Sequence, residues 1–120
     1  MKLENNHLQN KSYDFALLIV KLSKKLMNEK TEFVLSKQIL KSGTSVGANV
    51  IEANGAISKA DFSAKISIAY KECLETKYWL SLLKDSGDLE ESEFSLLFLK
   101  ADELAKILFS ILKTTRINKK

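Results

Sequence analysis

The stretch Lys41-Ser42-Gly43-Thr44-Ser45-Val46-Gly47-Ala48-Asn49 decides how the chain is read. Two glycines among serine and threonine suggest a phosphate-cradling loop. Such a loop ends in Lys-Ser/Thr and follows a β-strand, and neither condition holds here. The flanks carry a helical period instead, with Leu35, Ile39, Val46, Val50 and Ala53 recurring at three, four or seven residues. On a helix, Gly43 and Gly47 stack on one face with Ala48 beside them. Each glycine costs a soluble helix about 1 kcal/mol relative to alanine. Two of them need a reason, either close approach of another helix or a ligand, and close packing is the stronger reading. Ser45, Asn49 and Glu52 form a polar stripe beside the apolar one.

The period continues on both sides. Ser12 reads as an N-cap, with Asp14 in the first turn and an apolar face of Phe15, Leu18, Ile19, Leu22 and Leu26. This gives a first helix over about 12–28, after a polar arm of residues 1–11. Thr31 with Glu32 opens the second helix, and Asn54-Gly55 closes it, both residue types tolerating the left-handed conformation. Ser58-x-x-Asp61 reads as a capping box for the third. That helix has a heptad of Phe62, Ile66, Ala69, Cys73, Thr76, Leu80 and Leu83, and a second stripe through Ile68, Glu72, Glu75, Trp79 and Leu82. A helix apolar on more than one side is buried on more than one side, which predicts a subunit contact. Asp85-Ser86-Gly87 ends it. Asp88 then caps a fourth helix whose seam is Phe94, Leu97, Ala101, Leu104, Leu108 and Ile111. The prediction is an all-α, up-down-up-down antiparallel four-helix bundle over residues 12–115, with a basic tail at 116–120.

Composition narrows the function classes. The 120 residues suit one domain that folds without disulfide or metal. Proline is absent, which suits unbroken helices. Cys73 has no partner for an internal disulfide, and its apolar setting points to an inert buried thiol. The first ten residues do not resemble a signal peptide, and the longest apolar run, Phe15 to Val20, is too short to span a bilayer. A soluble cytoplasmic protein without membrane contact is expected.

Glu72-x-x-Glu75 in a four-helix bundle raises a di-iron centre, but such a centre also needs Glu-x-x-His on two helices. The single histidine, His7, lies in the predicted arm. Nucleophilic catalysis by serine or cysteine lacks a histidine base for the same reason. No catalytic residue, metal or cofactor is therefore expected, and Lys37 and Lys41 are expected to pair with the two glutamates, within the bundle or across a subunit contact. Charge distribution is more informative. Net charge is +4, and Arg116 is the one arginine among nineteen basic residues. From Asp85 to Glu103 there are seven acids and one lysine, whereas Leu104 onward has five basic residues and no acid. In the bundle, one end would collect Lys11, Lys59, Lys113, Arg116, Lys119 and Lys120. Such an end can bind phosphate backbones by counterion release. The alternative is that these lysines only solvate the surface.

The segments Ser12-Tyr13-Asp14-Phe15-Ala16, Leu35-Ser36-Lys37-Gln38-Ile39, Ser42-Gly43-Thr44-Ser45-Val46-Gly47-Ala48-Asn49, Ser58-Lys59-Ala60-Asp61-Phe62 and Lys71-Glu72-Cys73-Leu74-Glu75-Thr76-Lys77-Tyr78-Trp79-Leu80 occur in this order, followed by Glu103-Leu104 and Ile107-Leu108. In these segments the chain resembles the four-helix bundle proteins encoded in intervening sequences of bacterial large-subunit ribosomal RNA, often labelled ribosomal proteins. One departure is Cys73, where a small residue such as alanine is expected. The resemblance implies a ring-shaped homopentamer. It also implies kinship with accessory proteins of diversity-generating retroelements, which bind RNA and a reverse transcriptase through basic surfaces. It transfers no catalytic residue. The expected function is non-enzymatic binding of structured RNA through Lys11, Lys59, Lys113, Arg116 and Lys119. The alternative is an adaptor that docks a protein such as a reverse transcriptase through apolar surface near Trp79 or Phe109. Gly43, Gly47, Ser45, Asn49, Glu72, Glu75 and Trp79 are assigned to helix packing or oligomer contact.

Overall fold

In the computed structural model, which describes residues 7–117 and side chains through 115, four helices follow one another: α1 (His7–Glu29), α2 (Leu35–Asn54), α3 (Lys59–Asp85) and α4 (Glu91–Ile117). The start of α1 corrects the expected arm. Leu8 lies one heptad before Phe15 and is buried, so the apolar face begins upstream of Ser12. Ser12 is accordingly not an N-cap. It is buried inside the helix, and its hydroxyl donates to the Gln9 carbonyl at 3.0 Å.

The second helix also begins later than expected. Thr31 adopts φ +49°, and the amides of Lys30 and Glu32 both donate to the Leu26 carbonyl, which closes α1. The Glu32 carboxylate then accepts from the amides of Ser36 at 2.8 Å and Val34 at 3.4 Å. It satisfies the first free donors of α2 from outside the helix. At the other end Gly55 stops α2 with φ −99°, so the left-handed conformation expected there is not used. Ser58 does cap α3, accepting from the Asp61 amide at 3.0 Å, while the Asp61 carboxylate accepts from the Ile57 amide at 3.2 Å. Gly87, at φ +88°, provides the left-handed turn after α3. Asp88 is not the cap of α4. Leu89 is buried first, and α4 starts at Glu91.

Each helix packs against its neighbour in sequence, and α1 closes the square against α4 with the least contact. The rod measures 49 × 22 × 20 Å. Its core is built from the predicted seams, with Phe15, Ile19, Ile39, Val46, Ile66, Cys73, Leu80 and Leu108 nearly or fully buried. Small residues line the α1–α2 contact. A Cβ placed on Gly43 would sit 2.7 Å from Ile19 Cγ2 and 2.8 Å from its Cγ1. A Cβ on Gly47 would meet the Ser12 carbonyl oxygen and Oγ at 3.4 Å. Farther along, the Ser23 hydroxyl donates to the Ser36 carbonyl at 2.9 Å. The bare face thus admits α1 of the same chain.

The two glycines make different predictions. Gly43→Ala should destabilise the fold by about 1–2 kcal/mol. Ile19 is β-branched and fully buried, which limits its room to give way, and overpacking outweighs the gain in helix propensity. Gly47→Ala should be neutral or stabilising by up to about 1 kcal/mol, because its methyl finds ordinary contact distances. Thermal melts followed by circular dichroism should place the two variants on opposite sides of, or at unequal distances from, the parent.

Candidate nucleic-acid interface

The acidic half of α4 is drawn into ion pairs with the flanking helices. Glu93 meets Lys25 of α1 at 3.2 Å, Glu91 meets Lys84 of α3 at 3.7 Å, and Asp102 holds Lys77 of α3 at 2.8 Å and Lys106 at 3.0 Å. The neighbouring Lys77 and Lys106 hold the Asp102 carboxyl below its ordinary range. Glu103 reaches Lys11 at 3.7 Å. Apart from the half-buried Lys77–Asp102 pair, these contacts are largely solvent-exposed, so they orient side chains more than they stabilise the fold.

The basic residues predicted to act together are therefore distributed unevenly. The end of α2 meets the start of α1, where the Asn54 side-chain amide donates to Gln9 at 2.9 Å. Lys59 opens α3 and is exposed. Lys113 lies over the Phe109 ring at 5.6 Å, with no carboxylate partner among the described residues. Lys11, by contrast, faces the α1–α4 side and is paired with Glu103, which takes it out of an uncompensated cluster. Arg116 falls in the last turn of α4 with its side chain outside the description, and Lys119 lies outside the described residues. Sequence reasoning missed Lys77 and Lys106, which join Lys113 in the cleft between α3 and α4. The available signal was spacing on α4: Asp102, Lys106, Phe109 and Lys113 recur at four, three and four residues.

The stretch that organised the sequence reading is structural. Ser45 donates to the Lys41 carbonyl at 2.6 Å and Asn49 to the Ser45 carbonyl at 2.8 Å. Glu52 crosses to Lys65 of α3 at 2.9 Å. Deeper in the same contact, the hydroxyls of Ser42 and Thr76 are 2.9 Å apart. Trp79 is half-buried, edge-on to Tyr78 with centroids 5.2 Å apart, and its indole Nε1 is buried without a partner among the described residues.

The carboxylate pair departs from expectation. Lys37 and Lys41 form no ion pair with Glu72 or Glu75 among the described residues. The α2–α3 turn centres nearer 58 than 56, as the Ser42–Thr76 and Glu52–Lys65 contacts show, so Glu72 lies level with Ser45. Partial burial raises the Glu72 pKa, and its hydrogen bond to Glu75 and that neighbour's charge add to the effect. The Ser45 hydroxyl and the Lys41 charge oppose it. Burial also pushes the Cys73 thiol up to about 12, so it remains protonated and unreactive at neutral pH. No described helix is long and apolar enough to cross a membrane.

A glutamate with a raised folded pKa binds its proton more tightly in the folded chain than in the unfolded one. Its charge therefore opposes folding once pH rises through the folded pKa, and the penalty is absent below the ordinary value of 4.5. Glu72→Gln should be more stable than the parent at pH 7, and the advantage should shrink as pH falls toward 4.5. Urea unfolding across that range checks the sign.

The comparisons with known proteins agree with this architecture. No curated protein matches the chain. Residues 4–110 match the family model described as 23S rRNA-intervening sequence protein. A crystal structure of a protein with unknown function from the S23 ribosomal protein family, from Bacteroides thetaiotaomicron, is 48% identical with a TM-score of 0.87, covering 88% of this chain and 98% of that one. With nearly its whole length matched, this chain belongs to the 23S rRNA-intervening sequence protein family.

Proposed function

We propose that the chain is a non-enzymatic, oligomeric binder of structured RNA that grips phosphates with lysines at the end of the bundle where α4 terminates. The observation that carries this reading is the division of α4. Its acids are engaged by lysines of α1 and α3, whereas Lys113 and, at the start of α3, Lys59 are exposed with no carboxylate partner among the described residues. Lysines on helix surfaces supply charge without base-reading forks, which suits recognition of shape over base sequence. Membership of a family named for ribosomal RNA intervening sequences supports an RNA partner. The sealed thiol of Cys73 supports a non-enzymatic role.

The reading includes a homo-oligomeric ring, of five subunits by the family resemblance, which multiplies the basic end. Ile68, Tyr78 and Leu82 leave an apolar stripe on the outer side of α3, with Tyr78 58% exposed, and this is the surface assigned to the neighbouring subunit. A second reading, an adaptor for a protein such as a reverse transcriptase, is favoured by Leu96 and Leu99 on α4, at 50% and 60% exposure. Capture of a partner that survives high salt and nuclease would select it.

Filter binding of a hairpin RNA over a salt series tests the first reading. The logarithm of affinity should fall steeply with that of salt, and Lys59→Gln or Lys113→Gln should each lower the slope by about one. Salt-independent binding would remove the phosphate reading. Native mass spectrometry should find one multi-subunit species that Ile68→Asp reduces to helical monomers, and wild-type monomers at working concentration would remove the ring.

A further inference from the structure

Two clefts flank α4, and they differ in charge and chemistry. The α1–α4 cleft sets Lys11 and Lys100 against Asp14 and Glu103, so its charge is balanced, and its one aromatic residue, Phe15, is buried. The α3–α4 cleft, of about 280 Å³, contains three lysines, 77, 106 and 113, and one acid, Asp102. Asp102 holds two of the ammonium groups, one from each helix that walls the cleft, at 2.8 and 3.0 Å. The third, Lys113, has no carboxylate among the described residues. The local excess of positive charge calls for an anion.

Beside these cations lies an aromatic shelf. Phe109 is 45% exposed, yet it is held in place by Tyr70, with ring centroids 5.6 Å apart and planes inclined by 38°, and by the Lys113 ammonium over its ring. A partly open aromatic ring next to one ammonium group without a carboxylate, and to two that share a single carboxylate, matches both halves of a nucleotide, a base that stacks and a phosphate that pairs. The volume is at the lower limit of small-molecule sites, which run from roughly 300 Å³ upward, so it suits one nucleotide of a longer strand.

We propose that the cleft between α3 and α4 seats one unpaired nucleotide of an RNA strand, its base on Phe109 and its phosphate between Lys106 and Lys113. The site deepens the RNA-binding reading and rests on it. It supplies the contact to an unstacked base that a loop or bulge can offer and a duplex cannot. The cleft opens on the α4 side of α3. The Glu72–Ser45 contact marks the opposite, α2 side of the same helix.

Fluorescence anisotropy with a short labelled oligouridine and an abasic strand of equal length tests it. The wild-type protein should bind the oligouridine more tightly. Phe109→Leu, which keeps apolar bulk, should lose that preference by about tenfold while retaining affinity for the abasic strand, and Phe109→Tyr should restore it. Lys113→Gln should weaken both strands and lower the salt slope by about one. Equal binding of the two strands by the wild type, or a Phe109→Leu variant indistinguishable from it, would overturn the proposal. Displacement by uridine monophosphate at matched nucleotide concentration would assign the cleft to a free nucleotide, and displacement by oligoglutamate would assign it to an acidic peptide. Either result overturns the strand assignment. Loss of hairpin binding in the wild type defeats the broader reading, whereas hairpin binding with no effect at Phe109 defeats only the cleft.

Discussion

The approach of α1 to α2 across Gly43 is the constraint on which the bundle depends. Ile19 lies where a side chain at position 43 would have to be, and the same bare face continues past Gly47 to Ser12. Ser23 and Ser36 extend it toward the other end, with a hydroxyl bonding directly to a neighbouring backbone carbonyl. Helices that approach this closely exclude water from the polar groups between them, so each such group calls for a protein partner, and the Ser36 hydroxyl is an exception, buried with none among the described residues. Ser42 and Thr76 meet that need on the α3 side of the same helix. Thus α2 is the element both neighbours are fitted to, with glycine and serine toward α1 and Ser42, Ser45 and Glu52 toward α3.

Charge is organised around α4 in a complementary way. Its first half is acidic and lies between lysine-bearing helices, and its second half is basic. Most of the pairs are exposed and contribute little individually to stability, the half-buried Lys77–Asp102 pair aside. Their larger effect is on the electrostatic field. They neutralise the middle of the bundle and leave positive charge toward the terminus of α4. Asp102 has a separate role, since one carboxylate holds two lysines from the different helices that wall a cleft.

Much of the fold was legible because a helix repeats its pattern over many residues. The seams of α3 and α4 and the glycine face of α2 were read from spacing alone; the α3 heptad, Gly43 and Gly47 are buried as read, Phe94 and Ile111 of the α4 seam are half-buried, and Ala48 is exposed. Helix ends were read less well because they depend on single side chains. Glu32 caps α2 from three residues outside it, whereas a local reading favoured Thr31. Leu8 is a single apolar residue in a polar segment, and only its register with Phe15 identifies it as core. The site was less legible still. Lys11 looked free because Glu103, which pairs with it, is distant in sequence. The Tyr70–Phe109 shelf joins two helices whose register depends on the Ser86-Gly87 turn, and no spacing within either helix reveals it.

The weak closure between α1 and α4 has a consequence for how the chain reaches this structure. Every extensive contact joins consecutive helices, and only the slightest joins the first to the last. The contact order is therefore low, and the backbone closes short hairpins before it must bring distant segments together. Helical topologies of this kind fold on the order of microseconds to milliseconds. The seam with the least packing is the one whose assembly requires the longest loop to close.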